Sequence, residues 1–442
     1  MSTPTGIFIA YGALLTMAVI PIYAGSLTSL RSLKRPAGVP KSRTKILSPL
    51  DDSDSDSESA ASESLSSSDA YMFPVFGSGV LFGLYLLFRF LNKDYINMLL
   101  TAYFCVLGIA ALAKAGVDIT RKIMPVRLLK GVEKYKILLT KEGKQLYTSS
   151  FTLVHGILLL ASILLTGYYA LTKNWIASNM FGLSFSVNAI QLLSLDSFKT
   201  GMILLSGLFF YDVFWVFGTE VMVSVAKNFD APIKVVWPKD VIAWLLGSAE
   251  KVQFTMLGLG DIVIPGIFVA LCLRFDHHQA WKRSSAGRDY RSSDFPKPYF
   301  TSCLVAYVSG LVTTIVIMHT FQAAQPALLY LSPACILSAL GTALVRGELK
   351  ELFAYSTEED DKEPKEVKEK KDTKKAKKEE KKKVEEVKKE EEKNEEEEGA
   401  EADVEEEDYV AVDPEEPKGS AAAASPKTGA KKRKGKRAGG KA

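Results

Sequence analysis

Residues 204–218, LLSGLFFYDVFWVFG, and residues 254–268, FTMLGLGDIVIPGIF, each carry one carboxylate, Asp212 or Asp261, inside an otherwise apolar run. A carboxylate in the middle of a membrane helix is costly, so it is rare and marks function by default. Asp212 lies about twelve residues, roughly 18 Å, into its run; Asp261 lies about seven residues, roughly 10 Å, into the next. If the runs cross a bilayer in opposite directions, the two carboxylates reach similar depths and can face each other.

The rest of the chain fits a membrane setting. Its 442 residues are 47% hydrophobic, but the apolar residues gather before residue 350 in runs of about twenty, the length that crosses a roughly 30 Å hydrocarbon core. Nine spans are predicted, near 6–25, 71–91, 95–115, 149–171, 175–194, 200–224, 254–273, 299–320 and 326–346. Asn179, Asn188 and Gln191 interrupt the fifth. The first lacks preceding basic residues and a small-residue cleavage site, so it reads as a permanent helix rather than a signal peptide. The fold class is therefore all-α, a polytopic membrane protein with a nine-helix bundle.

Basic residues follow the first span (Arg31 to Lys45), the third (Arg121 to Lys134) and the seventh (Arg274 to Arg291). Such residues concentrate on the cytosolic side, which predicts a lumenal N-terminus, a cytosolic C-terminus, a sixth helix running outward and a seventh returning. Four parts are expected: 1–70 with the first helix and an acidic cytosolic loop, 71–194 with helices two to five, 195–350 with the catalytic helices six to nine, and 351–442 as a charged cytosolic tail. The loop Asp51–Asp69, DDSDSDSESAASESLSSSD, and the Lys/Glu-rich tail from Glu358 have little to bury and are read as disordered. The net charge of +4 sums opposing segments, and no nucleic-acid partner is expected. Cys105, Cys272, Cys303 and Cys335 all fall in apolar segments without metal-ligand spacing, and are read as buried thiols.

Two carboxylates held close in a low dielectric share a proton, the arrangement in which one activates water and the other protonates the developing oxyanion. Such a reaction needs no metal or organic cofactor. Gly258 and Gly260 flank Leu259 and remove side chains beside Asp261, and Pro265 frees a carbonyl one turn earlier. Gln325-Pro326-Ala327-Leu328 offers irregular backbone at a helix start. An unwound substrate strand needs such backbone partners inside a membrane. Tyr211, next to Asp212, is a candidate hydrogen-bonding partner of the pair or of substrate. Gly79 and Gly83 read as a helix-packing pair, and His155 and His319 as hydrogen-bonded packing residues.

Tyr211-Asp212, Gly258-Leu259-Gly260-Asp261 and Pro326-Ala327-Leu328, with the wider strings 210–238, 256–276 and 325–335, resemble the intramembrane aspartyl proteases of the signal peptide peptidase and presenilin clan. The resemblance is strong from about residue 175 to 335 and looser in the first three spans. It implies a presenilin-like bundle, catalytic Asp212 and Asp261, and an active site shaped by Pro326, Ala327 and Leu328. It also implies residence in the endoplasmic reticulum membrane. The implied substrates are remnant signal peptides and other single helices with a cytosolic N-terminus. The charge pattern matches the signal peptide peptidase orientation; presenilin would hold these two helices the other way up. The lipid bilayer, a homo-oligomer and endoplasmic-reticulum quality-control components are compatible partners. The chain has no Asn-x-Ser/Thr site, no dilysine ending and no large N-terminal lumenal domain. The rival readings are a carboxylate-based ion or proton transporter and a non-proteolytic escort or scaffold.

Overall fold

A computed structural model describes residues 4–30, 33, 63–124, 133–141, 144–229, 231–241, 244, 253–283, 294–321 and 325–357. Among the described residues the apolar runs become eleven helices, accompanied by three strand pairs. Helix α1 spans Pro4–Ser29, α2 Ser67–Phe90, α3 Lys93–Ile123, α4 Leu153–Thr172, α5 Trp175–Leu192 and α6 Phe198–Asp212. After them come α7 (Val221–Asn228), α8 (Gly260–Arg283), α9 (Pro298–Phe321), α10 (Leu328–Arg346) and α11 (Leu349–Ala354). The helix ends carry ordinary signals. Asn92, Asn174 and Ser197 accept backbone N–H groups ahead of α3, α5 and α6, and α10 stops at Gly347, whose φ of 69° suits glycine.

Seven of these segments are long and apolar enough to cross a membrane: 6–29, α2, α3, α4, the 198–217 stretch that begins with α6, α9 and α10. The chain is thus a polytopic, mainly helical membrane protein. Its outer surface is apolar, with Leu171 and Val345 each 88% exposed, as a lipid-facing surface requires. Of the two predicted spans outside the seven, α8 is packed inside, and α5 buries residues between Ala177 and Ile190 while leaving Ile176, Met180 and Leu192 exposed. From Pro265 to His277 every residue of α8 is buried. A helix walled by other helices is not selected for contact with lipid, so its polar residues do not exclude it from the interior.

Strands are the main departure from the all-α reading. β2 (Lys134–Lys141) and β3 (Lys144–Thr152) form an antiparallel hairpin, so the fourth helix starts at Leu153, not near 149. β5 (Lys234–Pro238) and β6 (Phe254–Gly258) form another, which moves the start of the seventh helix from 254 to Gly260. The sixth predicted span, 200–224, is broken after Phe217, and α7 is a separate helix. Gly79 and Gly83 face open space rather than a packed helix.

The predicted disordered loop is ordered at its end. Glu63–Leu65, strand β1, pairs in parallel with β4, Leu193–Leu195. Ser66 and Asp69 then close a reciprocal cap on α2. Ser356 bridges Ser197, and the Thr357 N–H donates to the Asp196 carbonyl at 2.8 Å. Both the loop end and the segment after α11 are therefore fastened to residues 193–197, just ahead of α6. Residues 51–62 of the loop, and the tail from Glu358, lie outside the described residues.

A polar cluster ties α8, α9 and α10 together at the end of α8 opposite Asp261. Asp276 accepts the N–H groups of Tyr299 and Phe300 at 3.3 and 2.8 Å, capping α9. Glu348 accepts the Tyr299 hydroxyl at 2.8 Å and pairs with Arg283 and Arg346. Burial opposes ionisation of Glu348, but these three donors outweigh it and hold its carboxyl below the ordinary glutamate value of 4.5. All four cysteines are free, three of them buried and Cys105 partly so.

Candidate active site

Asp212 ends α6 as a buried residue, 5% exposed. The helix does not stop there: Val213–Phe217 continues as one wide π-turn, and the Val213 N–H is shared between the carbonyls of Phe209 and Phe210. Wide turns of this kind cluster at functional positions because they re-aim a side chain without ending the helix. The turn closes at Gly218, where a Cβ would lie 2.5 Å from the Phe214 carbonyl oxygen, so only glycine fits. Helix α2 braces the region: Trp215 Nε1 donates to Ser78 Oγ at 3.0 Å. The Tyr211 hydroxyl points to the Gly77 carbonyl at 3.5 Å. Tyr211, the candidate partner of the aspartates or of substrate, thus directs its hydroxyl toward α2 in this structure.

Asp261 lies in the first turn of α8 and is half-buried. The preceding residues Phe254–Gly258 are extended, and the Leu259 N–H donates to the Ile233 carbonyl at 3.0 Å. The motif Gly258-Leu259-Gly260-Asp261 is thus a strand-to-helix corner. Gly258 lies beside the carboxylate: a Cβ there would sit 3.4 Å from Asp261 Oδ2. Gly260 is exposed and faces open space. Leu259 is half-buried, and a Cβ at Gly182 of α5 would lie 3.3 Å from its Cδ1.

Asn179 accounts for how a hairpin is tolerated here. Its side-chain amide donates to the Val236 carbonyl at 2.7 Å and accepts the Val236 N–H at 2.8 Å. It satisfies the edge of β5 as a neighbouring strand would, which matters where no water is present to do so. The sequence showed Asn179 as an interruption of a span but gave no sign of its partner.

The corner faces α6 and α10. The Asp212 and Asp261 carboxylates lie within electrostatic reach of each other, and the Leu328 backbone N–H is directed at the Asp212 carboxylate. Gln325, half-buried, and the buried Pro326 and Ala327 precede α10 without helical structure. The Pro326 carbonyl accepts the Leu329 N–H, and the Ala327 carbonyl accepts those of Tyr330 and Leu331. The structure therefore brings Asp212, Asp261, Gly258 and Leu328 to one place. Among the described residues β6 pairs only with β5. Leu257 and Leu259 face β5, which leaves the backbone groups of Met256 and Gly258 directed away from it.

The histidines have local roles: His155 bonds Thr152 Oγ1 at 2.8 Å, and His319 bonds the Tyr11 hydroxyl at 3.3 Å. One residue near the pair was not anticipated. The hydroxyl of buried Tyr307, on α9, donates to the Asp261 backbone carbonyl at 3.3 Å.

A helical fold with seven segments able to cross a membrane and an apolar outer surface defines a polytopic membrane protein. A family model described as "Signal peptide peptidase" matches residues 57–359, and the chain belongs to that family, a class of membrane peptidases. It is 43% identical over 370 residues to signal peptide peptidase of Homo sapiens, covering 83% of this chain and 88% of the relative. The Mus musculus signal peptide peptidase is also 43% identical, over 82% of this chain and 87% of its own. Intramembrane protease 2 of Caenorhabditis elegans is 46% identical over 215 residues, 49% of this chain and 45% of its own.

Proposed function

We propose that the protein is an aspartyl endopeptidase that hydrolyses peptide bonds within transmembrane helices, using Asp212 and Asp261 to activate water. The observation that carries this reading is the approach of the two carboxylates across the α6–α8 interface, with the Leu328 N–H directed at Asp212. One carboxylate takes a proton from the attacking water; the other donates one to the developing oxyanion. Hydrolysis then splits the amide, the new amine taking the proton that the first carboxylate gained.

A helical substrate has its carbonyls engaged and must unwind before it can be cut. The outer edge of β6, at Met256 and Gly258, offers a strand for the unwound segment to pair with, directly before Asp261. Gly258 leaves room for that approach, and the non-helical Gln325-Pro326-Ala327 backbone lies on the other side. Tyr211 supports the site through α2.

In this reading α5 and α8 cross the membrane with the seven apolar segments, giving nine spans, a lumenal N-terminus and a cytosolic C-terminus in the endoplasmic reticulum. Residues 195–350 form the catalytic part, 1–70 and 71–194 the preceding helices, and 351–442 the cytosolic tail. Substrates are remnant signal peptides and other single-span helices with a cytosolic N-terminus, met within the bilayer; copies of the chain and quality-control proteins are compatible partners.

The test is cleavage of a signal-peptide-like helix by purified, reconstituted protein. Asp212→Ala and Asp261→Ala should each lower the rate by about 10³-fold or more. Unchanged cleavage by either variant defeats the mechanism, and no cleavage by the unaltered protein leaves the transporter or scaffold readings.

A further inference from the structure

In an α-helix the carbonyl of residue i accepts the N–H of residue i+4. For Asp261 that residue is Pro265, inside α8, which has no N–H to give. The carbonyl of this aspartate is therefore released from its own helix. An unmet carbonyl away from water is costly, so its partner must come from elsewhere. It comes from α9: the Tyr307 hydroxyl donates to it at 3.3 Å. Tyr307 is fully buried in the core that packs α8, α9 and α10 together, and it also lies within electrostatic reach of the Asp261 carboxylate.

We propose that Tyr307 is a positioning residue: its hydroxyl replaces the helix donor that Pro265 lacks and so fixes the first turn of α8 that aims the Asp261 carboxylate. This rests on the reading of Asp261 as a catalytic residue. A helix whose first turn lacks one of its own bonds takes its direction from whatever supplies the substitute. Here the substitute belongs to α9, and α9 packs along α10, with Gly310 close enough that a Cβ would lie 3.2 Å from the Tyr330 carbonyl oxygen. The aim of Asp261 is thereby tied to the helix that follows Pro326.

The arrangement predicts a rescue. Tyr307→Phe keeps the ring and removes the donor; Pro265→Ala restores an N–H at the position that should serve the same carbonyl. The experiment compares the full-length protein, each single variant and the double variant, by cleavage kinetics in liposomes and by thermal unfolding in detergent. The unfolding set is repeated in an Asp261→Asn background. Tyr307→Phe should lower kcat about tenfold with KM changed less than about twofold, and adding Pro265→Ala should recover about threefold or more. The unfolding midpoints should show the same rescue. If Tyr307→Phe does not yield folded protein, recovery of folded protein by the added Pro265→Ala supports the proposal, and continued failure overturns it. Absence of rescue in both measurements overturns it. Rescue of unfolding without rescue of cleavage leaves a structural bond and overturns positioning. If Asp261→Asn still cleaves while the unfolding rescue persists, the catalytic reading of Asp261 fails and the hydrogen bond stands.

Discussion

Asn179 and Pro265 look like faults in their helices, one a polar residue in an apolar run and the other a helix breaker. Asn179 is half of a long-range pairing, and Pro265 stands four residues after a carbonyl that takes a donor from another helix. Asn179 supplies the two bonds that a missing strand would give Val236, so Asn179→Leu should destabilise the protein by about 1–3 kcal/mol, seen as a lower unfolding midpoint in detergent. Glu348 makes a second prediction. Its carboxyl is held below the ordinary glutamate value, so its contribution is complete above the unfolded-state value and is lost as pH falls through the lower folded-state value. The drop in unfolding midpoint on acidification below about pH 4.5 should be smaller in Glu348→Gln than in the unaltered protein; equal slopes would contradict the assignment. The cost of a carboxylate in lipid made Asp212 and Asp261 visible in the sequence. The partners of Asn179 and of the Asp261 carbonyl were not visible, because Val236 and Tyr307 are ordinary residue types whose roles depend on packing between distant segments.

Helices were legible from apolar length alone, and so were most of their starts, but not those of α4 and α8, which follow strands. Phe254–Gly258 is apolar and runs into a helix, so it reads as the helix's first turn; only its pairing with Lys234–Pro238 makes it a strand. The same holds for Lys144–Thr152 ahead of α4. The π-turn after Asp212 likewise leaves no signature in VFWVF. The strand reading gives a prediction that the helix reading does not. The Met256 N–H points away from β5, so Met256→Pro should leave the hairpin paired yet remove a donor offered to substrate. Cleavage should fall about tenfold with little change in unfolding; an unaltered rate would rule out substrate pairing along β6.

At the scale of the molecule, the orientation proposed from the basic segments gives each helix a direction, and the site inherits it. A substrate pairing with β6 must enter in one direction relative to the corner at Gly258–Asp261. A reporter helix reconstituted in both orientations should be cut mainly when its N-terminus lies on the cytosolic side, and equal cutting of both would remove the directional reading. The fastening of Glu63–Leu65 and Ser356–Thr357 to residues 193–197 bears on biogenesis. Synthesis runs from N- to C-terminus, so both aspartates are made well before Ser356, and the segment that introduces α6 waits for its last partner until nearly all the membrane helices exist. A ribosome stalled between Asp261 and Ser356 leaves a chain that holds both Asp212 and Asp261 and an unfinished foundation beneath one of them. The order of synthesis thus places the last fastening ahead of α6 after both aspartates and after every membrane helix.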